Sequence, residues 1–148
     1  MKSSPFFLSA LALILITTSC KKDDVSTVIL QSTEYKLQAI GATGITGTVT
    51  FTEDSDGKTE VLVELDDGSS VAVHPAYIRF NTSEEGGAVA LTLNPCECQI
   101  SRTTVSKLDV GTSISYEGLL QLDGHVSIHE SPDDYTVISA ANIGANAD

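Results

Sequence analysis

The chain has 148 residues, with 20 aspartates and glutamates against 8 lysines and arginines, and a formal net charge of −12 at pH 7. So few cations exclude a nucleic-acid binder, because phosphate backbones are held by clustered Lys and Arg. Eleven glycines, four prolines, no tryptophan and many Thr, Ser and Val residues make a β composition, and the length favours one domain.

The first element is an address. Lys2 supplies a positive start and residues 6 to 16 are almost unbroken apolar sequence, followed by Thr17-Thr18-Ser19-Cys20. This run is short for a bilayer span, which takes about 20 apolar residues, and reads as a secretory signal. Small residues directly before a cysteine resemble the bacterial lipoprotein box, although Thr17 stands where Leu is commoner. The resemblance implies a signal peptide over residues 1–19, and Cys20 lipidated as the first mature residue and membrane anchor. Lys21-Lys22-Asp23-Asp24 resembles the Lys-then-acidic signal of surface-exported lipoproteins of Bacteroidota. The expected location is therefore the cell envelope, as an outer membrane lipoprotein facing the periplasm or the surface. Residues 20–33 read as the lipidated cysteine and linker, although Val28-Ile29-Leu30 has the composition of a short strand.

From residue 34 to residue 148 a period of two dominates. In residues 45 to 52, Ile45, Val49 and Phe51 face one way and Thr46, Thr48, Thr50 and Thr52 the other, as in a half-buried strand. Ser55-Asp56-Gly57 then turns the chain. Val61, Val63 and Leu65 form the next apolar face, and Asp66-Asp67-Gly68 is a second hairpin signal. A strand starting at Val71 is interrupted by Pro75, which cannot donate to a ladder, before Ala76, Ile78 and Phe80 resume the pattern. Val89, Leu91 and Leu93 follow a Glu84-Glu85-Gly86-Gly87 loop. Further strands are expected over 114–120, 126–130 and 135–140, with Asp123-Gly124 and Pro132-Asp133-Asp134 as turns. Seven or eight short strands, with no window of helical period, predict an all-β antiparallel Greek-key sandwich or barrel.

The residue types that carry chemistry are few. His125 and His129 share one face of a strand, with Val126 and Ile128 on the other, but their α carbons lie about 13 Å apart in an extended chain. They cannot share a metal without a bulge or a third element. His125, directly after Asp123-Gly124, reads as an exposed residue at a strand start.

The segment from Val126 through His129-Glu130 to Asp133-Asp134-Tyr135 resembles the part of copper/zinc superoxide dismutases in which a strand ending in Val-His precedes Glu, a short linker and Asp-Asp-Leu. It is equally similar to the Val-Asn-Val-His strand of the bacterial CHRD domain, a family with the same type of β-sandwich. Residues 74–80 and 86–91 resemble the CHRD pattern of Ala-His-Ile-His, a loop, Gly-Pro-Val and a strand, and residues 142–146 the closing Gly-rich strand. The resemblance implies that His129 matches a copper ligand, and Asp133 or Asp134 the carboxylate that orients ligands. The His-x-His pair of the dismutases falls on Tyr77 and Arg79, and a guanidinium, charged at every physiological pH, repels a cation. The zinc-loop histidines have no counterparts. His74 is placed to substitute for a lost ligand, or else both His74 and His129 are satisfied by hydrogen bonds within the sandwich.

Cys96 and Cys98 form an even pair once Cys20 carries lipid, and in an oxidising compartment they are expected to form a disulfide. The alternative is a soft-metal site shared with a histidine. Glu84-Glu85, Asp66-Asp67 and Asp133-Asp134 all fall in turn signals and lack the alternating oxygen spacing of a calcium loop. No Gly-x-Ser-x-Gly elbow or phosphate loop is present. The expected function is non-catalytic: a lipid-anchored envelope sandwich with a binding or structural role toward a protein or glycan partner. The alternative is a copper- or zinc-binding protein using His129 with His74, and Cys96 and Cys98 as further donors.

Overall fold

The computed structural model describes residues 28–66 and 73–147. The expected signal peptide, Cys20, the Lys21–Asp24 signal, most of the Asp66-Asp67-Gly68 turn and Val71 lie outside these residues.

Ten strands and one short helix follow in chain order: β1 (Ile29–Ala39), β2 (Gly47–Asp54), β3 (Thr59–Leu65), β4 (Val73–His74), β5 (Ala76–Phe80), β6 (Val89–Thr92), β7 (Cys96–Glu97), β8 (Ile100–Val105), α1 (Tyr116–Leu120), β9 (Asp123–His129) and β10 (Val137–Gly144). All pairings are antiparallel, in the order β4-β7-β8-β3-β2-β1-β10-β9-β5-β6, and the sheet curls as a half-barrel. The fold is all-β, as the period-two pattern requires.

The β2–β3 hairpin is the clearest link from sequence to core. Register pairs Val49 with Val63 and Phe51 with Val61, and all four side chains are fully buried. The turn between the strands is built by Asp54, whose carboxylate accepts from the amides of Asp56 and Lys58, both at 2.9 Å. Gly57 supplies the left-handed residue at φ +71. Phe51 also meets the Tyr35 ring edge-on at 5.3 Å, which ties β1 to the same core.

Several expected boundaries move. β1 starts at Ile29, inside the stretch read as linker, and pairs with β2 over nearly its whole length. Residues 116–120 are helix in place of the expected strand. Ser115 caps it by accepting from the Gly118 amide at 3.2 Å, and Tyr116 and Leu119, three residues apart, are the pair that enters the core. Asp123-Gly124 opens β9 and does not form a turn.

β8 has no counterpart in the sequence reading because two of its three inward residues are polar, Ser101 and Thr103. Both bond Asn94: Ser101 Oγ donates to its carbonyl, and Thr103 Oγ1 accepts from its amide at 2.9 Å. Pro75 does separate two strands, and its carbonyl accepts from the His129 amide at 2.9 Å.

Candidate binding site

Strand β9 sorts its side chains by parity. Val126 and Ile128 join the core, so His125, Ser127 and His129 project from the other face of the sheet. An outward face of an antiparallel sheet is ordinarily wet. Here it is covered: these three residues are 0 to 4% exposed. On the neighbouring β5, Ile78 is core, while Tyr77 and Arg79 stand opposite Ser127 and His125 in register. On the other side, Ala140 and Asn142 of β10 pair with the same two positions.

Two loops form the cover. Residues 81–88 fold back because Asn81 and Gly86 take left-handed backbone, at φ 64 and φ 66. The Ser83 amide donates to Asn142 Oδ1 at 2.8 Å, fastening this loop to β10, and His125 Nδ1 donates to the Asn81 carbonyl at 2.8 Å. Residues 130–136 are shaped by Ser131 Oγ, which accepts from the amides of Asp133 and Asp134, and by Asp134 Oδ1, which accepts from the Thr136 amide at 2.9 Å. Those bonds to Thr136 hold the Asp134 carboxyl below its ordinary range. The loop's Tyr135 carbonyl accepts from His129 Nδ1 at 2.7 Å.

With Nδ1 donating, neutral His129 carries its lone pair on Nε2, which accepts from Ser127 Oγ at 3.2 Å. Both ring nitrogens are therefore engaged. The ring also packs edge-on against Tyr77 at 5.1 Å and Tyr135 at 6.2 Å. Burial pushes its pKa below the ordinary value, the Tyr135 carbonyl pulls it back in part, and the charge of Arg79 adds to the lowering. Ser127, His129 and the Tyr135 carbonyl stand in the order of nucleophile, base and orienting acceptor. Ser127 is 0% exposed, and its hydroxyl is engaged in holding the imidazole.

Between the loops lies a cavity of about 280 Å³, whose walls include Arg79, His125, His129 and Tyr135 with the apolar Ile40 and Val137. Arg79 sits over the Tyr77 ring, 5.6 Å from its centroid, and its Nη1 donates to the Gly87 carbonyl at 2.9 Å. That carbonyl is placed by a close chain approach: a Cβ on Gly87 would collide with the Phe80 carbonyl.

Compared with family models, with curated proteins and with solved structures, the chain matches none.

Of the residues singled out from the sequence, His129 is in the site. His74 is not on the cavity wall; its Nδ1 donates to the His129 main-chain carbonyl at 3.1 Å. Cys96 pairs with His74 across β4 and β7, fully buried, and burial pushes its thiol up to about 12. Against the expected disulfide, both thiols are free: Cys96 turns into the core, while Cys98, at φ 49, sits exposed in the turn before β8. Among the described residues no three His, Cys, Asp or Glu side chains converge to hold a metal ion. The Asp134 carboxylate serves its own turn by accepting from the Thr136 amide, and Asp133 joins that turn through its backbone amide, which donates to Ser131 Oγ.

His125 corrects the sequence reading most clearly. Expected at an exposed strand start, it is 4% exposed and lines the cavity. Sequence reasoning also missed Ser127 and Tyr135 as partners of His129. The available signal was the alternation of His125, Ser127 and His129 against Val126 and Ile128, which marks a second face made of hydrogen-bonding residues.

Proposed function

We propose that this protein is a lipid-anchored cell-envelope binding module, held by Cys20 at the membrane and presenting a non-catalytic ligand site on the outer face of its sheet. In this reading residues 1–19 are removed, Cys20 is acylated, and the half-barrel is a divergent Greek-key sandwich of the CHRD and superoxide-dismutase-like type. Multiple acyl chains on one residue anchor stably, since each buried methylene contributes about 0.8 kcal/mol.

The reading is supported by the lipoprotein-box resemblance at Cys20 together with a cavity that lies at the end of β1 farther along the chain from that cysteine. Few residues separate Cys20 from Ile29, where β1 begins, whereas Ile40, just beyond the other end of β1, lines the cavity. An 11-residue strand spans roughly 35 Å, so the site lies about that far from the end of β1 that follows Cys20 in the chain. With residues 1–19 removed, 7 basic residues remain against 20 acidic ones, and this excess of negative charge repels anionic lipid and holds the domain off the membrane.

The test is metabolic labelling of the full chain with a palmitate analogue, followed by phase partition. Label incorporated in the wild type and lost in Cys20→Ala, with release of that variant to the aqueous phase, is the expected result. An unlabelled wild-type chain overturns the reading. Protease shaving of intact cells then separates the surface from the periplasmic leaflet.

A further inference from the structure

Arg79 is the one lysine or arginine among the described residues that is not exposed, in a chain with 20 carboxylates. It nevertheless forms no ion pair among the described residues, where Arg102 with Glu60 makes the single salt bridge. Of the five N–H donors of a guanidinium, one is bonded, to the Gly87 carbonyl. Its Nε is buried and is the one such side-chain polar atom without a partner among the described residues, which leaves the Nη groups as the donors that a ligand in the cavity can meet. An under-satisfied, partly buried cation is costly unless an anion completes it. The fold spends structure on holding it in place all the same: the Tyr77 ring lies on one side, the Gly87 carbonyl fixes Nη1, and β9 passes so close that a Cβ on Gly124 would stand 2.7 Å from the Arg79 carbonyl.

The adjoining cavity, about 280 Å³, is small for a ligand pocket. Its walls carry no carboxylate, and beyond Arg79 they combine apolar surface from Ile40, Val137 and the Tyr135 ring with the His125 imidazole. His125 Nδ1 donates to Asn81, so Nε2 of the neutral ring is an acceptor that a hydroxyl of a ligand can satisfy. A bare oxyanion would leave the apolar walls unused, and a polyanion would be repelled by the net charge of −12.

We propose that the cavity beside Arg79 is a binding site for a small organic monocarboxylate, its carboxylate paired with the Arg79 guanidinium and its apolar body against Ile40 and Val137. The proposal rests on the binding-module reading above and names the ligand class of that site. A charge-assisted bond between guanidinium and carboxylate supplies the selectivity over neutral ligands, and the apolar walls add affinity for a ring or short chain.

The experiment uses the full chain in detergent and three probes: benzoate, its neutral isostere benzyl alcohol, and inorganic phosphate. Binding is followed by calorimetry and by the ring signals of His125 and His129 in NMR. Benzoate is expected to bind one to one and shift both histidine signals, with benzyl alcohol and phosphate at least about tenfold weaker, and with Arg79→Gln losing at least about tenfold toward benzoate. Benzyl alcohol or phosphate binding as tightly as benzoate overturns the proposal, as does benzoate affinity retained in a folded Arg79→Gln, or no benzoate binding up to about 10 mM. The probe comparison uses the wild-type chain, so it decides the question even where Arg79→Gln does not fold. Membrane attachment is read by labelling at Cys20, so failure here leaves that reading standing.

Discussion

The main-chain carbonyl of His129 accepts a hydrogen bond from Nδ1 of His74 at 3.1 Å, so the His74 ring meets the backbone of His129 and not its imidazole. The His129 ring is in turn spent on Tyr135 and Ser127. Titration of the full chain with copper or zinc is therefore expected to show no stoichiometric tight site, and His129→Ala is expected to leave the isotherm unchanged. Tight one-to-one binding abolished in His129→Ala contradicts this arrangement.

The lowered pKa of His129 sets a pH signature. The folded state holds this ring neutral, whereas in the unfolded chain it titrates near its ordinary value of 6.5. Below that value the unfolded state binds the extra proton, so this contribution to stability is present above 6.5 and lost as pH falls toward the lower, folded-state value. Glu84 and Asp134 are also lowered, but their contributions fade only below the ordinary values of 4.5 and 3.8. Denaturant midpoints between pH 7.5 and pH 5 should fall on acidification in the wild type and fall less in His129→Gln. Parallel curves for the two proteins would remove His129 as the cause.

The two cysteines should differ sharply in reactivity. A thiol raised to about 12 and fully buried carries almost no thiolate at neutral pH, whereas Cys98 is exposed. Alkylation of the native chain is expected to modify Cys98 quickly and Cys96 only after unfolding, read by mass spectrometry of the peptides. Modification of Cys96 at a rate matching Cys98 would place it outside the core.

Two glycines guard different parts of the molecule. Gly144, at φ +59, ends β10 against Leu122, where a Cβ would strike the carbonyl, so Gly144→Ala combines backbone strain with a collision and should cost more than about 2 kcal/mol of stability. Gly87→Ala must displace either its own carbonyl or that of Phe80. It is expected to weaken benzoate binding along with stability, because Arg79 Nη1 loses its fixed acceptor. Calorimetry of both variants separates a general loss of fold from a loss at the site.

Surface charge, by contrast, should matter little. The Arg102–Glu60 pair, at 3.0 Å, leaves the Arg102 side chain 59% exposed, and such pairs contribute between 0 and about 1 kcal/mol. Arg102→Ala should shift the denaturant midpoint by less than Phe51→Ala, which removes a fully buried ring and costs about 3 to 5 kcal/mol. The reverse order would mean that the core is not where Phe51 lies.

The all-β class, the β2–β3 hairpin and the inward faces of β5 and β9 were legible in the chain alone, because period-two alternation and Asp-Gly turns are written in neighbouring residues. α1 was not legible, since one turn of helix rests on a Ser115 cap and two side chains and has no period long enough to register. β8 was hidden because Ser101 and Thr103 face inward, and their burial makes sense only once Asn94 is beside them. The site follows the same division. Sequence supplied the imidazole of His129 and the cation of Arg79, while the tertiary structure decided that their face is covered and that His125 belongs to it. That decision is carried by contacts between distant segments, Ser83 with Asn142 and His125 with Asn81, 59 and 44 positions apart. An alternating strand states which side chains share a face; which face stays wet is fixed by the loops that fold back over it.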